Sequence, residues 1–153
     1  MSVVSLNELK SGLAPGECLL GLDLGSKTIG MAIADPSGII ASPLDTIRRR
    51  KFTEDARALA RVIRERKVGG LVFGLPVSMD GSEGPRCQST RQFATNLLER
   101  MDIGISFWDE RLSTSAVEKF LIAEADMTRK RRGEVVDKMA AAYILQGALD
   151  SQA

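Results

Sequence analysis

Histidine is absent from all 153 residues, so within this chain no mechanism can use an imidazole as base, acid or metal ligand. Aromatic residues are scarce at 5%, which excludes base stacking as the main source of any nucleic-acid recognition. The two cysteines, Cys18 and Cys87, match no zinc spacing and make no disulfide framework, so a reduced intracellular setting is expected. No stretch of about twenty apolar residues occurs, and the first residues show no basic segment leading into an apolar run, so neither a membrane span nor export is expected. The net charge is only +1, so any attraction to polyanions must come from local clustering. The chemistry that remains belongs to carboxylates, hydroxyls, cysteine and lysine. Carboxylates suit hard, oxygen-seeking cations such as magnesium.

A chain of this length with 44% hydrophobic residues buries roughly 70% of its unfolded surface as one domain. Residues 1–17 read as an N-terminal extension that ends in the Pro15-Gly16 turn signal and adds little to the core, and residues 18–153 as the single domain. Cys18 to Asp23, Ile29 to Ala34 and Ile39 to Leu44 read as three closely spaced strands, hence a meander. Thr53 is the expected cap of an amphipathic helix carrying Ala56, Leu59, Ala60 and Ile63, stopped by Gly69-Gly70. Leu71 to Gly74 follows as a strand, residues 76–85 as a loop, and Thr90 to Met101 as a helix. Ile105 to Trp108 is a further strand, Ser115 with Glu118 marks a capping box, and Val135 to Leu149 is an alanine-rich final helix. Strands first, then alternating helices and strands, predict a mixed α/β sheet with helices on its faces.

Three motifs carry carboxylates to the ends of these elements. In Leu22-Asp23-Leu24-Gly25-Ser26-Lys27-Thr28, an aspartate ends one strand beside a turn whose backbone can approach a phosphate. The alternatives are a hairpin turn in which Asp23 bonds turn amides, or the phosphate hairpin of an actin-like ATPase. In Phe107-Trp108-Asp109-Glu110-Arg111, two adjacent acids point to opposite faces, so one of them can join Asp23; both could instead cap the next helix. In Val135-Val136-Asp137-Lys138-Met139, a carboxylate lies near a helix start, where it could also serve only the helix dipole. Three acids without cations would repel a phosphodiester. Two magnesium or manganese ions about 4 Å apart reverse that sign and support hydrolysis by in-line displacement.

Taken in order, GLDLGSKTIGMAIADPSG, VFGLPVSMDGSEGP, FWDERLSTSAVE and EVVDKMAAAYILQGALD resemble the YqgF/RuvX group of Holliday-junction-resolvase-like proteins, in the ribonuclease-H-like superfamily. The resemblance runs from about Leu19 to Asp150. It implies a five-stranded mixed sheet, meander first, flanked by helices, and a metal-binding catalytic site made of Asp23, Glu110 and Asp137. It also implies nuclease activity in maturing the 5′ end of pre-16S rRNA in the cytoplasm. The alternatives are a structure-selective nuclease for branched DNA such as Holliday junctions, or a nucleic-acid-binding factor without turnover. Junction resolvases of the superfamily carry a further acid or histidine beside the last aspartate, where this chain has Glu134 and Lys138.

For holding structured RNA or branched DNA, the candidates are Lys27, Arg111 and the run Arg129, Lys130, Arg131, Arg132. A solvated loop is the other reading of that run. Residues 48–67 hold nine Lys or Arg against three acids, so Arg48 to Lys51 are further candidates. The loop from Leu75 to Pro85 is expected to border the cleft, with Ser78, Asp80 and Ser82 as polar contacts; a plain strand-to-helix connection is its other reading. The assembly expected is a monomer or homodimer.

Overall fold

The computed structural model describes residues 3–78, 80–110 and 129–151. Its centre is β1 (Cys18–Leu24), which is buried at every position but Asp23, as a strand covered on both faces should be. β1 pairs antiparallel with β2 (Thr28–Ala34), which pairs antiparallel with β3 (Ala41–Arg48). On its other side β1 pairs parallel with β4 (Val68–Leu75), and β4 pairs parallel with β5 (Gly104–Asp109). The sheet order is β3-β2-β1-β4-β5, so the meander comes first and the sheet is five-stranded and mixed, as expected.

Side-chain alternation divides the core into two layers. Leu20, Leu22 and Leu24 of β1, Phe73 of β4 and Ile105 of β5 pack with Leu59, Phe93 and Leu97. The last three come from α2 (Phe52–Glu65) and α3 (Pro85–Leu98). On the opposite face, Leu19, Ala32 and Val72 pack with Ala141, Ile144, Leu145 and Ala148 of α4 (Arg129–Asp150). Full burial of each such leucine or isoleucine contributes roughly 1.5–3 kcal/mol. By parity Asp23 belongs to the α4 face, with Leu19 and Gly21. Among the described residues no helix is long and apolar enough to cross a membrane.

Several boundaries differ from those expected of the sequence. The cap of α2 is Lys51, which makes no side-chain cap bond, and Thr53 lies inside the first turn. There the buried Asp55 reaches back to accept the backbone N–H of Arg50 at 2.9 Å, which serves the helix start instead. The chain leaves α2 through Lys67, in the left-handed region at φ 55°, ahead of Gly69-Gly70. β3 starts at Ala41 rather than Ile39, because Asp35 accepts the N–H groups of both Ile39 and Ile40 and holds them in the hairpin turn. Pro85 opens α3 earlier than expected, at a position where proline suits a helix start.

The N-terminal segment corrects a further expectation. Val4 donates its N–H to the Ile105 carbonyl at 2.8 Å, and the Ser106 hydroxyl donates to the Val4 carbonyl at 2.6 Å. A short helix, α1 (Leu6–Ser11), capped by the Ser5 hydroxyl, then inserts Leu9 into the α4-side core at 4% exposure. The segment that reads as peripheral is part of the packed structure. Leu6, Leu9 and Leu13 lie at helical spacing, but a helix of six residues is too short to read from that pattern alone.

Candidate active site

Asp23 occupies the carboxyl end of β1, directly opposite Gly30 of β2. α4 crosses this face so closely that a Cβ built on Gly30 would lie 2.0 Å from the Asp137 carbonyl oxygen. The same holds further along, where a Cβ on Gly21 would meet Leu145 Cβ at 2.7 Å and one on Gly74 would meet Ile144 Cδ1 at 2.5 Å. One glycine on each of three strands therefore makes the track on which the helix lies, and bare backbone at Gly30 carries Asp137 to the sheet. Only glycine satisfies that approach.

Asp137 is not near the helix start, contrary to expectation. It stands eight residues after Arg129, about 12 Å along the axis, beyond the reach of the terminal dipole. Its Oδ2 accepts a hydrogen bond from the Thr28 hydroxyl at the start of β2. On the far side of β1, Glu110 follows β5 directly. In β5, Ile105 and Phe107 face the α2–α3 layer while Trp108 packs toward α4, so alternation brings Glu110 to the Asp23 side and Asp109 to the other.

Asp23 and Glu110 share a hydrogen bond. Burial, then the charges of Glu110 and Asp137, push Asp23 up from the ordinary 3.8 to about 7; the Arg86 guanidinium opposes this. Glu110 is also raised, first by burial and further by Asp109, while Arg86 and the bond from Asp23 hold it down. The directions make Asp23 the protonated partner, donating to the Glu110 carboxylate. A proton thus relieves a repulsion that a cation could relieve equally, and an all-carboxylate set has the donor chemistry for a hard divalent ion. The three acids do not form a ready ligand shell: among the described residues no group of three acidic or thiol side chains is disposed to hold a metal. Two meet, and the third stands close enough to repel Asp23 while engaged with Thr28.

Of the other expected contacts, Lys27 is exposed in the β1–β2 turn. Arg111 and the capping box at Ser115 lie outside the described residues. Arg129 to Arg132 form the first turn of α4, not a loop before it; their side chains lie outside the described residues. Within the 76–84 loop Asp80 accepts the Ser82 N–H at 2.9 Å, and the Ser78 backbone carbonyl accepts the Gly81 N–H at 2.8 Å, with Gly81 at φ 87°. A bidentate Glu83–Arg91 pair fastens this loop to α3, with the Arg91 guanidinium 4.8 Å from the Phe107 ring. Sequence reasoning misses Arg86, Thr28 and Gly30. Pro85 at a helix start is the only local signal near Arg86, and the other two owe their roles to a helix more than a hundred residues away.

Solved structures with this architecture include a fowlpox virus resolvase in complex with Holliday junction DNA, with TM-score 0.55, 10% identity and coverage of 88% of this chain and 98% of that one. Thermus thermophilus RuvC in complex with a Holliday junction substrate gives TM-score 0.55 at 11% identity, over 89% and 95% of the two chains. At such identities the likeness establishes the fold alone, a ribonuclease-H-like one. The sequence relatives are far nearer. A protein of Paramagnetospirillum magneticum named "Putative pre-16S rRNA nuclease" is 62% identical over 152 residues, covering 99% of this chain and 97% of its own. One of Phenylobacterium zucineum with the same name is 59% identical over 151 residues, covering 98% and 97%. The family model RuvX, described as Holliday junction resolvase, matches residues 17–151, and the chain belongs to the RuvX family.

Proposed function

We propose that this protein is a metal-dependent endonuclease of the cytoplasm that hydrolyses phosphodiesters of structured RNA, in 5′-end processing of pre-16S rRNA. The observation that carries the reading is the crowding of Asp23, Glu110 and Asp137 at one end of the sheet, where two of them share a proton. Acids held at that cost suit a site whose working state contains cations. The name that the relatives carry supplies the substrate class.

In this reading Asp23, Glu110 and Asp137 hold one or two magnesium or manganese ions. Bound there, such ions lower the pKa of a water and stabilise charge on the reacting phosphate. The protein's own part is positional. β1 and the end of β5 fix Asp23 and Glu110, while the backbone contact at Gly30 and the Thr28 hydroxyl fix Asp137. Glu110 accepts the hydrogen bond of the Asp23 proton in the resting site, and both must be ionised to receive a cation. Lys27, Arg111 and Arg129 to Arg132 are the basic residues this reading assigns to the phosphates of the strand.

Purified protein is incubated with a pre-rRNA fragment and with a four-way DNA junction, each with magnesium, manganese or a chelator, alongside Asp23→Asn. Metal-dependent cleavage of the RNA by wild type but not by the variant is expected. Equal cleavage by both proteins would refute the assignment. The family's description as Holliday junction resolvase supports a second reading, a junction resolvase, and preferential cutting of the DNA junction would select it.

A further inference from the structure

Between the β1–β2 turn and the start of α3 lies an open cleft of about 350 Å³, lined by Gly25, Ser26, Arg49, Arg86, Ser89 and Thr90 with Leu24 and Pro85. Among the described residues two arginines and three hydroxyl residues line it, and no acid does. The adjoining site is the reverse, with Asp23 and Glu110 at its centre. Arg86 joins the two, since its charge acts on both of these acids while it lines the cleft.

Arg49 is held before any ligand arrives. Its Nη1 donates to the Gly25 carbonyl at 2.6 Å, its backbone N–H donates to the Lys27 carbonyl at 2.8 Å, and its guanidinium lies 5.6 Å from the Phe93 ring. Gly25 takes one of the five N–H groups that a guanidinium offers. A fixed, planar, partly desolvated guanidinium is the group best suited to a phosphate oxygen pair. Thr90 is buried and spends its hydroxyl on the Arg86 carbonyl at 3.0 Å, which steadies the first turn of α3 beneath Arg86.

We infer that this cleft is a second phosphate site, which seats an RNA phosphate neighbouring the reacting one between Arg49 and Arg86. The strand would then cross from a basic cleft to the acidic centre, and its register would follow from where the arginines hold it. This assignment rests on the nuclease reading for its ligand, and on the lining and the anchored Arg49 for its place.

The test measures binding of a fluorescein-labelled RNA hairpin to the Asp23→Asn protein across a potassium chloride series. Removing one cation from the phosphate backbone lowers the slope of log affinity against log salt by roughly 0.7–0.9. Arg49→Gln and Arg86→Gln are each expected to lower it by that amount, and the pair by about twice as much. Arg86→Lys is expected to keep the slope, because a point charge suffices there. Arg64→Gln, in the last turn of α2 beside a different hollow, is expected to leave it unchanged. Slopes equal to the parent's in both glutamine variants would overturn the assignment. Metal-dependent cleavage by wild type, run in parallel, separates the two claims: cleavage with unchanged slopes removes the cleft alone, whereas lowered slopes without any cleavage remove the nuclease and leave the cleft.

Discussion

Replacing Asp23 by asparagine is expected to stabilise the metal-free protein. Asp23 is pushed from 3.8 to about 7 on folding, so between these values the folded state binds a proton that the unfolded state has released. Stability therefore falls as pH rises through that window. The advantage of the protonated form is fully present below 3.8 and is lost as pH passes about 7. At 1.36 kcal/mol per pH unit the gap amounts to about 4 kcal/mol. Residual solvent access at Asp23, and the asparagine amide's own need for partners, bring the expected gain to about 2 kcal/mol. The amide N–H can donate to Glu110 as the proton did. For a chain of this size that gain is about 4–8 °C in Tm.

Urea unfolding and thermal melts of wild type and Asp23→Asn, with chelator, at about pH 4 and about pH 8 test this linkage. The variant should gain at the higher pH and show little difference at the lower. Magnesium or manganese should then raise the Tm of wild type and not of the variant, because ligand binding stabilises only a state that holds it. A variant no more stable than wild type near pH 8, or an equal gain at both pH values, would refute the electrostatic account.

Gly30→Ala places a methyl group 2.0 Å from the Asp137 carbonyl oxygen, so α4 must lift. A loss of about 3 kcal/mol in urea unfolding is expected, with metal-dependent cleavage falling further than stability explains; unchanged unfolding and cleavage would show that α4 does not lie on Gly30. Leu9→Ala removes a side chain that is 4% exposed, and chemical denaturation should show a loss of about 2–4 kcal/mol. A loss below about 0.5 kcal/mol, the range of surface substitutions, would return residues 1–17 to the status of a dispensable extension.

Much of this arrangement is legible in the sequence because alternation and turn chemistry are local. The apolar run of β1, its terminal Asp23 and the acids after Trp108 announce strand ends, and strand order follows from a meander succeeded by helix-linked strands. What escapes is set by interactions between distant segments. Asp55 starts α2 by reaching back to Arg50 rather than through a hydroxyl cap, and Asp35 holds two isoleucines that otherwise read as strand. Gly30 looks like any strand glycine until the helix that lies on it is known. The choice of Glu110 over Asp109 follows from parity once β5 has its partners, but no single-strand argument supplies it. Arg86 looks like one more surface arginine, and its importance comes from the acids across the cleft.

Main chain resting on main chain at Gly30 makes the position of the third acid incompressible. Aliphatic cores yield to repacking, so libraries that vary Leu20, Met31 or Leu97, in the layer away from α4, should trade melting temperature while leaving the spacing between Asp137 and the sheet untouched. Durability and cutting speed would then be separately adjustable, and an engineer could harden the interior without retuning the blade.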